Sequence, residues 1–133
     1  MRITASWDEG YRCRMSVRQF ELLADEPPGA GGTDTGPTPT ELLLSALASC
    51  FAMAVAHAAR KRELELADLV VHVDGEYDGA RFGRLRVEVQ SSHARGELDD
   101  LVRMAKRYCY ISNTLARPPE LEYAVADRPA GHA

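Results

Sequence analysis

The chain has 133 residues, 45% of them hydrophobic and 27% charged, with a formal net charge of -4, which suits one globular domain, residues 1–133, able to bury about two-thirds of its unfolded surface. That charge and the scatter of the basic residues exclude an electrostatic footprint for nucleic acid. The three cysteines, Cys13, Cys50 and Cys109, are too widely and irregularly spaced for a disulfide framework or a CxxC metal site, so no metal and no cofactor is expected.

The opening MRITASWDEG carries no apolar signal region, which predicts a cytoplasmic protein with reduced thiols. Residues 2–7 alternate, DEG turns, and YRCRMSV places Tyr11, Cys13, Met15 and Val17 on one face with Arg12, Arg14 and Ser16 on the other, a hairpin with one wet side. FELLAD at 20–25 reads as a third strand. Residues 25–37, DEPPGAGGTDTGP, hold so much Gly and Pro that they form a loop, either ordered or a lid. Thr38 as N-cap, Pro39 at the first helical position and Glu41 two residues on make a capping box that starts a helix running to about Arg62.

Residues 42–59 of that helix are long and apolar enough to raise a membrane span, but the run is Ala- and Ser-rich and contains His57, which favours a buried helix and no membrane. Because it is apolar on nearly every side, it needs cover on nearly every side, which predicts a partner subunit. A second hairpin follows, with Leu69, Val71, Val73 and Tyr77 facing one way in its first strand, Leu85, Val87 and Val89 in its second, and a turn at Asp78-Gly79. GELDDLVRMAKRYC then reads as a helix with Leu98, Val102 and Ala105 at helical spacing, ISNTLAR as a short connection, ELEYAVA as a last strand, and 127–133 as a frayed tail. Strands in runs separated by two helices make the fold class α+β.

A cysteine inside an Ala-rich helix reads on its own as an inert buried thiol. His57, seven residues after Cys50 and near the same helix face, reads as a hydrogen-bonded core histidine, with a base role as the alternative. His72, His93 and His132 lie on a charged strand, in a loop and in the tail, with no metal-ligand spacing among them.

Two separated stretches change the reading of Cys50. The segment GG-x-D-x-GPTPTELLLSALASCF entering a long helix, and RYCYISNTL after the second one, resemble the OsmC/Ohr family of osmotically induced and organic-hydroperoxide-resistance proteins, from about Phe20 to Val125. The resemblance implies an intertwined homodimer with antiparallel sheets wrapped around long buried central helices. It further implies a thiol-dependent peroxidase that reduces organic hydroperoxides in oxidative or osmotic stress and is regenerated by an external thiol or dithiol. Carried over by motif, Cys50 is the peroxidatic cysteine and Cys109 the resolving one, with Ser112 completing C-x-x-S; Cys13 matches neither and reads as a core residue.

The hydroperoxide-resistance branch pairs its reactive cysteine with an arginine held by a glutamate ten residues before that cysteine. Here that position is Thr40, and Glu41 is nine before, a rotation of about 100 degrees around a helix, so Glu41 reads as the capping partner of Thr38. Arg12, Arg14 and Arg18 are all candidates for the arginine, and Lys106 and Arg107 are candidates to favour a Cys109 thiolate. The GPTPTELLL form is closer to a less specialised OsmC-like branch, which predicts an activity that is weak or directed at another substrate. The alternative is a non-catalytic homodimer that binds a small apolar molecule in the same place.

Overall fold

The computed structural model describes residues 1–129 and 131. Strands β1 (Thr4–Glu9), β2 (Arg12–Val17) and β3 (Phe20–Ala24) form an antiparallel sheet in that order, with Trp7 opposite Cys13 and Cys13 opposite Ala24. Gly10 turns the first hairpin at φ 56°, a conformation that a side chain disfavours, and its carbonyl accepts from the Trp7 indole at 2.9 Å.

The loop after β3 is ordered, because Asp25 holds it from inside. This carboxylate is buried and accepts from the Glu26 N–H, from the Thr33 hydroxyl at 2.7 Å and from the Thr35 hydroxyl at 2.7 Å, with both threonine N–H groups also aimed at it. Hydrogen bonds from Thr33 and Thr35 outweigh the burial that opposes them and hold its pKa well below the usual carboxylate range. The backbone closes so tightly here that a Cβ on Gly32 would sit 1.9 Å from the Glu26 carbonyl oxygen.

Helix α1 spans Pro39–Lys61 and starts with the expected box: the Glu41 N–H donates to the Thr38 hydroxyl at 3.2 Å, and the Thr38 N–H donates to the Glu41 carboxylate at 2.9 Å. The hairpin β4 (Val70–Asp78) and β5 (Arg81–Gln90) and helix α2 (Arg95–Tyr108) pack against it. Leu47, Phe51, Ala54, Val55, Ala58 and Ala59 of α1 meet Leu101, Ala105 and Cys109, and Leu69, Val71, Val73, Leu85, Val87 and Val89 close the hairpin side. Fully buried Leu101, absent from the expected stripe, and Val55 each contribute about 1.5–3 kcal/mol of burial.

Three expectations need correction. The connection after Cys109 is a third helix, α3 (Tyr110–Ala116), which starts because the Cys109 sulfur caps it by accepting from the Ser112 N–H at 3.4 Å. No strand forms over ELEYAVA; residues 117–129 are irregular, with Leu121, Tyr123 and Val125 exposed, because no neighbouring strand edge within the chain reaches them. Within the single chain, helix α1 is covered on one side, with Leu43 and Met53 exposed on the other. Tyr77 leaves the hairpin's inner face, since a bulge between Glu76 and Tyr77 turns it to stack on Phe82 at 4.7 Å and to hydrogen-bond Thr40 at 2.9 Å. Of the expected tail at 127–133, Ala130, His132 and Ala133 lie outside the described residues.

Candidate active site

The middle of α1 meets the end of α2 where the chain turns into α3. Cys50 follows Leu47 by one turn and precedes buried Phe51, so it lies at the edge of the inner face and is half-buried. Cys109 sits between α2 and α3 and is completely buried. The two residues predicted from separate motifs, 59 positions apart, are thus brought into one cluster: Cys50 packs against the core group that contains Cys109, and its thiol is among the groups that lower the Cys109 pKa.

Burial pushes the Cys109 thiol up, as an apolar surround disfavours a thiolate. Hydrogen bonds from the Ser112 hydroxyl and N–H, from Cys50 and from the Ile111 N–H act the other way and prevail, so the net direction is downward. The Ser112 hydroxyl also reaches the Cys109 carbonyl oxygen at 3.2 Å. Lys106 and Arg107, the candidates to favour this thiolate, are exposed to solvent instead. The turn that caps α3 therefore also stabilises the anion.

Outside this pair lies a cavity of about 260 Å³ lined by Cys50, Met53, Ala54, His57, Tyr108 and Tyr110. It is room for several waters, each of which takes about 30 Å³ in the liquid. His57 is therefore no core histidine: it is exposed, and its ring meets Tyr108 edge-on at 4.7 Å and 83°. The reading from sequence missed both tyrosines, although their signal was present in Tyr108-Cys109-Tyr110, where a buried cysteine is flanked by two aromatics at a helix break.

The remaining candidates are elsewhere. Arg12 is bound to Asp8 at 2.9 Å and Glu9 at 3.1 Å, Arg14 to Glu21 at 2.9 Å, and Arg18 lies over the Phe20 ring at 5.1 Å, all on the N-terminal sheet and none on the cavity wall. Glu41 is occupied in the helix cap, and the Thr38 N–H is the first cause of its lowered pKa. Cys13 is half-buried on β2, outside the cluster around α1. His93 ties the segment before β4 to α2, its Nε2 accepting from the Ala67 N–H at 3.1 Å while Nδ1 faces Glu97 at 2.8 Å.

The arrangement sets a thiol open to a small cavity beside a buried thiol whose ionisation is eased by the hydrogen bonds around it, the two partners that a disulfide would join.

The family described as OsmC-like protein matches residues 32–124 of the chain. Among curated proteins there is no match. An OsmC-like protein from Mycoplasma pneumoniae has a similar structure, with a TM-score of 0.73 at 24% identity over 88% of this chain and 87% of that one. An organic hydroperoxide resistance protein OsmC from Legionella pneumophila superposes with a TM-score of 0.66 at 21% identity, covering 87% and 88% of the two chains. For an organic hydroperoxide resistance protein from Elizabethkingia anophelis the values are 0.66 and 22%, with 87% of each chain covered.

Proposed function

Because the chain belongs to the OsmC-like family, whose fold it shares with organic hydroperoxide resistance proteins, we propose that it is a thiol-dependent peroxidase acting on organic hydroperoxides. The observation that carries the reading is a half-buried Cys50 on a cavity, packed against the cluster that holds a buried, hydrogen-bonded Cys109.

In this reading Cys50 meets the substrate, because it is the thiol the cavity reaches, and it reacts as the thiolate after losing its proton to solvent. The Cys50 thiolate attacks one oxygen of the O–O bond and becomes a sulfenic acid, while the other oxygen leaves with a proton as the alcohol. The Cys109 sulfur then attacks the Cys50 sulfur, a disulfide forms, and water leaves. An external thiol or dithiol restores the pair by exchange. No cofactor or metal takes part.

A homodimer belongs to the same proposal. Leu43 and Met53 on the outer face of α1 and Leu121, Tyr123 and Val125 beyond α3 are exposed apolar residues, and a second copy laid on α1 would cover them and wall the cavity. Helix α1, with a mean hydropathy of 1.9 over its best window, has the length and apolarity of a membrane span. Its packing on α2 and the hairpin supports a core helix in a cytoplasmic dimer instead.

The test is stopped-flow oxidation of reduced protein by an organic hydroperoxide, following thiol loss in wild type and Cys50→Ser. Rapid loss of two thiols and a Cys50–Cys109 bridge, both abolished by the substitution, are expected. Oxidation no faster than that of a free thiol would overturn the reading and favour a protein that binds a small apolar molecule.

A further inference from the structure

We propose that His57 is the proton donor of the thiol cavity, protonating the alkoxide that leaves as the O–O bond breaks. The inference rests on the peroxidase reading above. A thiolate attack on an alkyl hydroperoxide expels a strongly basic alkoxide, so a positioned acid lowers the barrier. Among the described residues that line the cavity, His57 carries the imidazole, the group most often used as a general acid. Within the same chain, Arg12, Arg14 and Arg18 lie on the N-terminal sheet beside Asp8, Glu9, Glu21 and Phe20, away from the cavity wall.

The spacing fits a donor to the leaving group better than a partner of the thiol. Two helical turns separate the Cα atoms of Cys50 and His57 by about 10.5 Å, and side chains on a helix lean toward its N-terminus, His57 toward Cys50. Both side chains line one cavity, and since both lean the same way along the helix the spacing leaves room between them for a hydroperoxide whose attacked oxygen would lie about 3–3.5 Å from sulfur and whose leaving oxygen would lie about 2.6–3.2 Å from the ring nitrogen. The edge-on Tyr108 fixes the ring plane, and as Tyr108 immediately precedes Cys109, one helix end sets both the acid and the resolving thiol.

The step balances. The Cys50 thiolate, the hydroperoxide and the imidazolium give the Cys50 sulfenic acid, the alcohol and neutral imidazole; sulfur loses two electrons and the O–O bond gains them. The titratable groups facing His57 are Cys50 from its own helix, Tyr108 from α2 and Tyr110 from α3, with Arg60 and Lys61 at the end of α1.

The experiment compares wild type and His57→Gln with two oxidants, cumene hydroperoxide, whose alkoxide needs a proton, and peracetic acid, whose carboxylate leaves without one. The substitution is expected to slow Cys50 oxidation by cumene hydroperoxide on the order of 10²-fold, to slow the peracetic acid reaction far less, and to remove the alkaline fall of the cumene hydroperoxide pH profile. Unchanged rates with both oxidants, or equal slowing of both, would overturn the role of His57 while leaving fast wild-type oxidation, and the peroxidase reading, in place. A wild-type Cys50 no faster than a free thiol would instead overturn the peroxidase reading and this inference with it.

Discussion

Cys109 joins two helices: its N–H donates to the Ala105 carbonyl at the end of α2, and its sulfur caps α3. Ser112 supplies the N–H for that cap, which explains the C-x-x-S spacing physically, since an N–H three residues on is the one a cap accepts. Replacing Ser112 with Ala removes the hydroxyl and leaves the burial penalty, so the midpoint of Cys109 ionisation, followed by thiolate absorbance, is expected to rise. The stability effect has a defined sign. The fold favours the anion, so this contribution is complete above the ordinary thiol pKa of about 8.5 and shrinks as pH falls through the lower folded value. Ser112→Ala is therefore expected to lose more stability in mildly alkaline than in acidic buffer. The motif was legible as a pair of cysteines and a serine; the cap and the two flanking tyrosines were not, because they depend on a helix break that propensity alone does not mark.

Among the elements, the loop at 25–37 was ambiguous in sequence, because Gly and Pro permit order and mobility alike. Order comes from Asp25, a buried carboxylate satisfied by donors from both sides of the loop. Asp25→Asn keeps the shape but turns an N–H₂ group toward donors, and is expected to lower the Tm by several degrees and to admit limited proteolysis between 26 and 36. The pH dependence follows from the depressed pKa. The carboxylate's contribution is complete above the ordinary value of about 3.9 and is lost only in strong acid, so the wild-type loop is expected to resist protease down to pH 3. The start of α1 was fully legible, since Thr38, Pro39 and Glu41 act within one turn. The seven residues of α3 were not, because a short helix with Ser, Asn and Thr draws its stability from its cap and from docking on α1.

For the whole molecule, the proposed dimer accounts for an apolar helix left half-covered and a C-terminal segment that reads as a strand yet lies unpaired. Met53, 71% exposed and on the wall of the thiol cavity, makes the link testable. Met53→Glu is expected to shift the protein toward monomer in sedimentation velocity, since a carboxylate would have to be desolvated at the interface. The sequence by itself determined the α+β class, the first five strands and two helices, because alternation, helical periodicity and caps act over a few residues, while Cys50 and Cys109 stood out only through the family resemblance. Only the tertiary structure decided that Cys50 packs on the cluster holding Cys109, that one faces a cavity and the other is sealed, that His57 lines that cavity, and that Arg12, Arg14 and Arg18 of the same chain lie elsewhere. Those outcomes depend on where elements far apart in the chain pack, and no local pattern encodes a distance between two helices.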